Sequence, residues 1–256
     1  MLEVLEQFEV RLSQNQLDID YLLEKFTFLE RHYDGDYVTN DLANVALTYL
    51  IPLLKARLIA VWRPLDLPDE SIRRLLQSWR PLLECRSRIT KGNVMDPYHG
   101  LLWHGWMPTL RGIIGQWRCK EEAEPMVNLL ERWGPLVPDW IMDNILGQLI
   151  LPRIQAAVDA WNPLTDMIPI HAWIHPWLPR LNNRLDVIYP TIRQKMAQAL
   201  VTWEPSDQSA RSVLMPWVSV FSKGSMDAFL IKNILPKLHK ALVNMAIDPM
   251  HQQMGW

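Results

Sequence analysis

Two apolar residues, a proline and a helix-forming run that closes on tryptophan follow one another in Ile150-Leu151-Pro152-Arg153-Ile154-Gln155-Ala156-Ala157-Val158-Asp159-Ala160-Trp161. The same pattern runs from Leu50-Ile51-Pro52 to Trp62, from Trp106-Met107-Pro108 to Trp117, and from Ile188-Tyr189-Pro190 to Trp203. A fifth copy begins at Ile234-Leu235-Pro236 and has Met245 where the tryptophan would stand. The five prolines are 56, 44, 38 and 46 residues apart, and their mean spacing of 46 is typical of HEAT-like repeats built from helix pairs.

The segments between these copies are candidates for the second helix of each pair. They cover residues 69–80, 121–133, 166–177 and 206–221, and each has a tryptophan at or near its end: Trp79, Trp133, Trp177 and Trp217. No alternating strand pattern and no Asn-Gly hairpin signal occurs in the sequence. We therefore predict an all-α fold, a HEAT-like α-solenoid of about five helix-pair repeats. Its long helices, kinked at their interior prolines, alternate with shorter ones, and its tryptophans belong to the core.

The first 36 residues differ from the repeats. They contain nine Asp or Glu against three Lys or Arg, and their apolar residues follow the spacing of two amphipathic helices. Asp34-Gly35-Asp36 separates this acidic helical pair from the repeat domain that we expect at 37–256. The fifth copy has no polar closing face, which a terminal repeat needs, so we expect the repeat domain to be truncated at its C-terminus.

Composition narrows the class of protein. The 256 residues are 49% hydrophobic and 21% charged, which is typical of a globular chain, and the formal net charge of −2 argues against wholesale binding of a polyanion. Two cysteines, Cys85 and Cys119, suit a reducing compartment. The most apolar segment, 42–62, carries Lys55 and Arg57 and contains Pro52, so we predict no membrane span.

Catalytic and metal-binding patterns have little support. His171 and His175 have the i,i+4 spacing that a zinc site can use, but no Glu of an H-E-x-x-H motif and no cysteine accompanies them. Arg86 and Arg118 beside the two cysteines could lower a thiol pKa, but no Cys-His pair is visible. The sequence has no P-loop, no G-x-G-x-x-G and no G-x-S-x-G motif. We predict a protein that is not an enzyme and that takes no cofactor and no metal.

A basic stretch is the candidate for nucleic-acid binding. Six basic residues stand between positions 73 and 91 against one acid, Glu84: Arg73, Arg74, Arg80, Arg86, Arg88 and Lys91. Such a face could meet phosphates, although a solvated basic face is the commoner explanation. A thinner cluster, Arg180, Arg184, Arg193 and Lys195, has the same two interpretations.

Several long phrases resemble one family. They are Trp103-His-Gly-Trp-Met-Pro108, Asp139-Trp-Ile-Met-Asp-Asn-Ile-Leu-Gly-Gln-Leu-Ile150, Ala160-Trp-Asn-Pro-Leu-Thr-Asp166, Pro169-Ile-His-Ala-Trp-Ile-His-Pro-Trp-Leu-Pro179, Trp203-Glu-Pro-Ser-Asp207 and Phe229-Leu-Ile-Lys-Asn-Ile-Leu-Pro-Lys-Leu238. Together they resemble the GC-rich-sequence-factor-like (GCFC) domain of the tuftelin-interacting, or septin-interacting, protein family, over nearly the whole chain.

The resemblance implies a nuclear splicing factor of the late, intron-lariat spliceosome, with a role in its disassembly. In that family an N-terminal G-patch recruits a DEAH-box RNA helicase, but no glycine-rich segment occurs among these 256 residues, so helicase activation does not carry over. The implied partners are other spliceosomal proteins, that helicase through the absent G-patch, and a second GC-rich-sequence-factor-like protein.

These observations lead to one expectation and one alternative. We expect a non-catalytic scaffold of a pre-mRNA splicing factor that binds other proteins. Its candidate interfaces are the acidic first 36 residues and the proline-rich corner formed by His171, Trp173, His175 and Trp177. The alternative is a direct RNA-binding module that uses the basic face Arg73–Lys91.

Overall fold

A computed structural model describes residues 2–14, 16–65, 70–84 and 95–244 of the chain, and these residues form helices and turns without a strand. The all-α prediction is confirmed. Met245 of the fifth proline pattern lies outside the described residues. Two compact units make up the chain: Met1–Arg118 with Glu124–Ile150, and Cys119–Ala123 with Leu151–Trp256.

The first unit contains nine helices within its described ranges. They are α1 (Leu2–Ser13), α2 (Ile19–His32), α3 (Asp34–Thr39), α4 (Leu42–Val61), α5 (Glu70–Glu84), α6 (Pro97–Leu101), α7 (Met107–Gln116), α8 (Ala123–Trp133) and α9 (Asp139–Asn144). A π-helical turn, Leu102–Trp106, joins α6 to α7, and a second one, Ile145–Ile150, follows α9. The acidic helical pair corresponds to α1 and α2, and its boundary at residue 36 as a separate domain remains a prediction.

The second unit has shorter helices joined by 3₁₀ turns. They are α10 (Leu151–Ala160), α11 (Ile170–Ile174), α12 (Leu178–Leu181), α13 (Tyr189–Ala199), α14 (Ser209–Leu214), α15 (Lys223–Asn233) and α16 (Leu235–Val243). The 3₁₀ turns are His175–Trp177, Asn182–Val187 and Met215–Trp217. The helices that sequence spacing predicts at 166–177 and 206–221 are therefore shorter than expected, and each ends in a 3₁₀ turn on its tryptophan.

The repeat prolines occupy three different settings in the helices. Pro52 lies inside the continuous helix α4, whereas Pro108 and Pro152 are each the second residue of a helix that continues directly from a π-helical turn. Pro190 and Pro236 stand at the second position of a new helix. Proline has no N–H and its ring clashes with the carbonyl four residues earlier, and a wider π turn relieves that clash. Among the repeat prolines, the predicted position inside a long helix is confirmed at Pro52, while the kink and the solenoid repeat remain predictions.

Tryptophans form the centre of both units. Nine of the twelve described tryptophans are buried: Trp62, Trp79, Trp106, Trp117, Trp133, Trp161, Trp173, Trp177 and Trp217. In the first unit the ring of Trp106 stacks on that of Trp133 with centroids 4.6 Å apart, and Trp62 meets Trp133 edge-on at 5.4 Å. In the second unit the ring of Trp217 stacks on Phe221 at 4.9 Å. The prediction that most tryptophans belong to the core is confirmed.

Lysines connect successive proline-containing helices of the second unit. The ammonium of Lys195 on α13 donates to the carbonyl oxygens of Asp159 and Trp161, both at 2.6 Å, where α10 ends. The ammonium of Lys237 on α16 donates in the same way at the end of α13, to the carbonyls of Leu200 at 2.6 Å, Val201 at 2.6 Å and Trp203 at 2.8 Å. The last carbonyls of a helix have no intrahelical donor and carry partial negative charge, so each lysine satisfies the end of the preceding proline helix.

Helix α4 is the one helix of the described ranges that is long and apolar enough to cross a membrane, with a mean hydropathy of 1.5. Its residues Leu50, Leu54 and Leu58 are completely or almost completely buried, and the helix contacts α2, α5 and α6 within the first unit. Core helices pass the same test of length and composition. The expectation that the chain has no membrane span remains a prediction.

Candidate functional site

The basic face of α5 is partly engaged within the first unit. The guanidinium of Arg73 donates to both carboxylate oxygens of Glu70, at 2.9 and 2.7 Å, and the Arg73 side chain is 20% exposed. Arg80 forms an ion pair with Glu84 at 2.8 Å and donates to the carbonyl of Pro135 at 2.9 Å. The hydrogen bond with Glu84 raises the pKa of Arg80 above its usual value. These two guanidiniums therefore have protein partners already.

Arg74 is the remaining described member of the basic face, and its side chain is exposed. Arg86, Arg88 and Lys91 lie outside the described residues. Direct RNA binding through Arg73–Lys91 is not tested by these positions and stays a prediction. In the thinner cluster of the second unit, the Lys195 ammonium is already bound to two helix-end carbonyls.

The proline-rich corner divides into a buried and an accessible part. Trp173 and Trp177 are completely buried, so both side chains serve the core of the second unit. His171 and His175 are half-buried, with ring centroids 5.7 Å apart, and Trp217 meets the His175 ring edge-on at 5.1 Å. Burial, together with the neighbouring His171, lowers the pKa of His175 below its ordinary value. Partner binding at this corner stays a prediction, and it now concerns the histidines.

No group of three metal-binding side chains occurs in the parts of the chain that the structure describes. The pair of histidines therefore lacks a third protein ligand from those parts. Cys119 is a free, buried thiol, and its burial raises the pKa above the ordinary value. A raised pKa disfavours the thiolate, which is the form of cysteine that acts as a nucleophile.

The acidic N-terminal pair presents its charges to solvent. Phe8 and Phe26 are buried and stack at 5.5 Å, which fixes α1 against α2, while Glu6, Asp20 and Glu24 are exposed. An amphipathic pair with a closed aromatic core and an acidic outer face can attract a basic partner surface. The prediction that the first 36 residues form an interface is compatible with this arrangement and stays a prediction.

A surface cluster of aromatic rings was not predicted from the sequence. Trp140 at the start of α9 is 42% exposed, and its ring lies 5.1 Å from that of half-buried Trp103. The indole N–H of Trp140 donates to Nδ1 of His99 at 3.4 Å, and the guanidinium of Arg111 lies 5.1 Å from the Trp103 ring. We name these four residues, Trp103, Trp140, His99 and Arg111, the aromatic patch. All four belong to the first unit.

The repeat pattern contained a signal for this patch. Most of the buried tryptophans stand at or near the end of a helix, whereas Trp103 precedes its repeat proline by five residues and Trp140 is the second residue of its helix. Surface tryptophans paired with arginine are frequent among the residues that carry most of the binding energy at protein interfaces. The first unit thus combines helices closed by buried tryptophans with a surface patch in which Trp140 is exposed and Trp103 is half-buried, and this defines the class as an all-α protein.

Comparison with known proteins identifies the family. Residues 19–255 match the model of the GC-rich sequence DNA-binding factor-like (GCFC) family, and the chain belongs to that family. Tuftelin-interacting protein 11 of Danio rerio is 41% identical over 259 aligned residues, which cover 99% of this chain and 31% of that protein. Tuftelin-interacting protein 11 of Xenopus tropicalis is 46% identical over 231 residues, which cover 89% of this chain and 28% of that protein.

The chain thus spans less than a third of the length of the curated relatives that it matches. Neither the family description nor the relatives' name denotes an enzyme. The resemblance to the tuftelin-interacting protein family, first indicated by the tryptophan- and proline-rich phrases, is confirmed.

Proposed function

We propose that this chain is a non-catalytic scaffold of a nuclear pre-mRNA splicing factor and acts in disassembly of the late, intron-lariat spliceosome by binding other proteins. Membership of the GCFC family and similarity to tuftelin-interacting protein 11 over 99% of the chain support the proposal. Its partners are spliceosomal proteins, among them a second GC-rich-sequence-factor-like protein. A DEAH-box RNA helicase joins through a G-patch, which these 256 residues do not contain.

The aromatic patch is the observation that carries the scaffold role. Burying an exposed tryptophan in a partner removes a large apolar area from water, and the neighbouring Arg111 adds a cation suited to interfaces. Nine other tryptophans are used in the core, so the exposure of Trp140 at 42% is a departure from the pattern of this chain.

The ion pairs of the basic face favour the scaffold over the RNA-binding alternative. Indole rings can also stack on bases, but unspecific single-strand binding needs a groove of unpaired cations beside them. On the described part of the basic face, Arg73 and Arg80 are paired with Glu70 and Glu84. The exposed Arg74 favours the alternative, which we therefore keep as the competing outcome of the experiment.

The test is a pull-down from nuclear extract with the 256-residue chain as bait, with and without RNase, followed by quantitative mass spectrometry. We expect spliceosomal proteins to remain after RNase and to be reduced at least tenfold by the double variant Trp103→Ala/Trp140→Ala. The matched control is Met167→Ala, which removes a side chain that is 95% exposed in the second unit.

Circular dichroism of the variants must match that of the wild type. Loss of every splicing protein on RNase treatment would overturn the scaffold proposal in favour of RNA binding, and Arg74→Glu would then be the next variant. Recovery of no splicing protein under either condition would overturn the splicing assignment.

A further inference from the structure

An open groove of about 590 Å³ lies between α13 and α15, both in the second unit. Its floor is apolar and is formed by side chains such as Ala197, Ala228 and Phe229. The exposed residues Gln194 and Gln198 also line the groove. The groove has no lining residue in common with the proline-rich corner of the same unit.

Two cations stand at opposite ends of this groove. The guanidinium of Arg193 on α13 lies 5.2 Å from the ring of Phe221, which stands two residues before the start of α15. Lys232 is exposed and belongs to the last turn of α15. Lys232 lies eleven residues after Phe221, and at the rise of a helix this corresponds to roughly 16 Å between the cationic ends.

The charged residues that line the groove are all basic. The residues that line it include Arg193 and Lys232 and no acid. Residues 180–244 contain nine Lys or Arg against four Asp or Glu, although the whole chain has a net charge of −2. Clustered charge of one sign in a concave surface attracts the opposite charge and raises its local concentration.

We propose that this groove binds an acidic, extended segment of a partner protein, in which apolar side chains meet the floor and carboxylates pair with Arg193 and Lys232. The inference rests on the scaffold function and names one of its docking sites. An extended segment presents unpaired backbone N–H and C=O groups, and the side-chain amides of Gln194 and Gln198 offer both donors and acceptors to it. At about 3.3 Å per residue, the two ends lie roughly five residues apart in such a segment.

The groove is poorly suited to RNA. Base stacking needs an accessible aromatic face, and the aromatic side chain of the floor, Phe229, is only 7% exposed. Small aliphatic side chains such as Ala197 and Ala228 fit alternate side chains of a peptide instead.

The experiment is selection of random 12-residue peptides displayed on phage against the immobilised 256-residue chain. We expect enriched sequences with Asp or Glu on both sides of two or three apolar residues. A fluorescein-labelled peptide of the enriched sequence should bind at least tenfold more weakly to Lys232→Glu and to Ala228→Trp, which fills the groove. Lys240→Glu reverses an exposed charge on α16 outside the groove and should leave the affinity within a factor of two.

Several results would overturn the proposal. They are enrichment of no peptide, enrichment of peptides without acidic residues, and equal weakening by Lys240→Glu and Lys232→Glu. If fluorescein-labelled U12 RNA binds the wild type but not the variant Lys232→Glu, the groove is assigned to RNA. A dimer of the wild-type chain in analytical ultracentrifugation that Lys232→Glu abolishes would assign the groove to self-association.

The groove proposal and the scaffold proposal fail separately. If Lys232→Glu leaves the RNase-resistant pull-down unchanged and no acidic peptide binds, the groove is not a docking site while the scaffold function stands. If the wild-type chain retains no protein after RNase, the scaffold function fails irrespective of the peptide result.

Discussion

Replacing Lys237 by methionine tests whether this lysine of α16, which binds the carbonyls at the end of α13, stabilises the second unit. Methionine keeps the length and helix propensity of lysine but removes its three donors. The change leaves the carbonyls of Leu200, Val201 and Trp203 without the bonds of 2.6, 2.6 and 2.8 Å that they accept in the wild type. A buried hydrogen bond to a charged group contributes about 1.5–3 kcal/mol to stability.

The three bonds of Lys237 do not add fully. The Lys237 side chain is half-buried, and Val201 is 71% exposed, so water can replace the ammonium at that carbonyl. We therefore expect a total loss of about 2 kcal/mol, close to the contribution of one fully protected charged bond. For a chain of this size, 1 kcal/mol corresponds to about 2–4 °C, so the expected decrease in Tm is about 4–8 °C.

The assay is differential scanning calorimetry combined with amide hydrogen exchange, since the two units need not unfold in one step. Exchange should accelerate in the last turn of α13 and hardly change in the first unit. Lys240→Met is the matched control, because it makes the same chemical change on an exposed side chain of the same helix. The control should stay within about 0.5 kcal/mol of the wild type. Equal Tm values for Lys237→Met and Lys240→Met would refute the proposed role of the lysine.

Three further predictions concern the core, the histidine and the glycines. Trp106→Ala should cost about 3–5 kcal/mol by urea denaturation because it empties a fully buried site, whereas Trp140→Ala should cost about 1 kcal/mol or less; similar losses would contradict the assigned burial. The lowered pKa of His175 means that the unfolded chain binds the proton first, so its contribution to stability should fall as pH drops below about 6.5. NMR titration of the His175 ring checks this, and a midpoint at or above the ordinary value would refute it. Gly112→Ala should stabilise α7 by about 0.5–1 kcal/mol since nothing lies within 4 Å of the new Cβ. Gly105→Ala should lose that gain, because its Cβ would stand 3.1 Å from a leucine side chain; thermal melts that rank the two alike would contradict the packing at Gly105.

The periodic features of the sequence predicted the fold because each is local. The spacing of proline and tryptophan predicted the helices α4, α7, α10, α13 and α16. It also predicted that most tryptophans are buried in the core. The π turns before Pro108 and Pro152 could not be predicted from spacing alone, since they depend on how a helix relieves the proline clash within its packed surroundings.

The candidate sites were harder to predict because charges and rings find partners through space. Glu70 lies three residues before Arg73, and Glu84 lies four residues after Arg80. Both spacings bring side chains together on a helix, so the sequence indicates both ion pairs. The basic stretch was defined as beginning at Arg73, and it therefore did not include Glu70. The contact between Trp103 and Trp140 joins positions 37 residues apart and depends on tertiary packing. Likewise, the complete burial of Trp173 is decided by neighbouring helices and not by its own segment.

In the second unit, each lysine link makes one helix depend for its stability on the next proline-containing helix along the chain. Each proline helix supplies the donor for the helix before it, from α16 to α13 through Lys237 and from α13 to α10 through Lys195. Detachment of α16 therefore does more than remove nine residues, since it strips the donor from the end of α13. A frayed α13 in turn holds Lys195 less firmly against α10. Unfolding that starts at α16 should therefore destabilise α13 next and then α10. Loss of α10, in contrast, deprives no later helix of its donor.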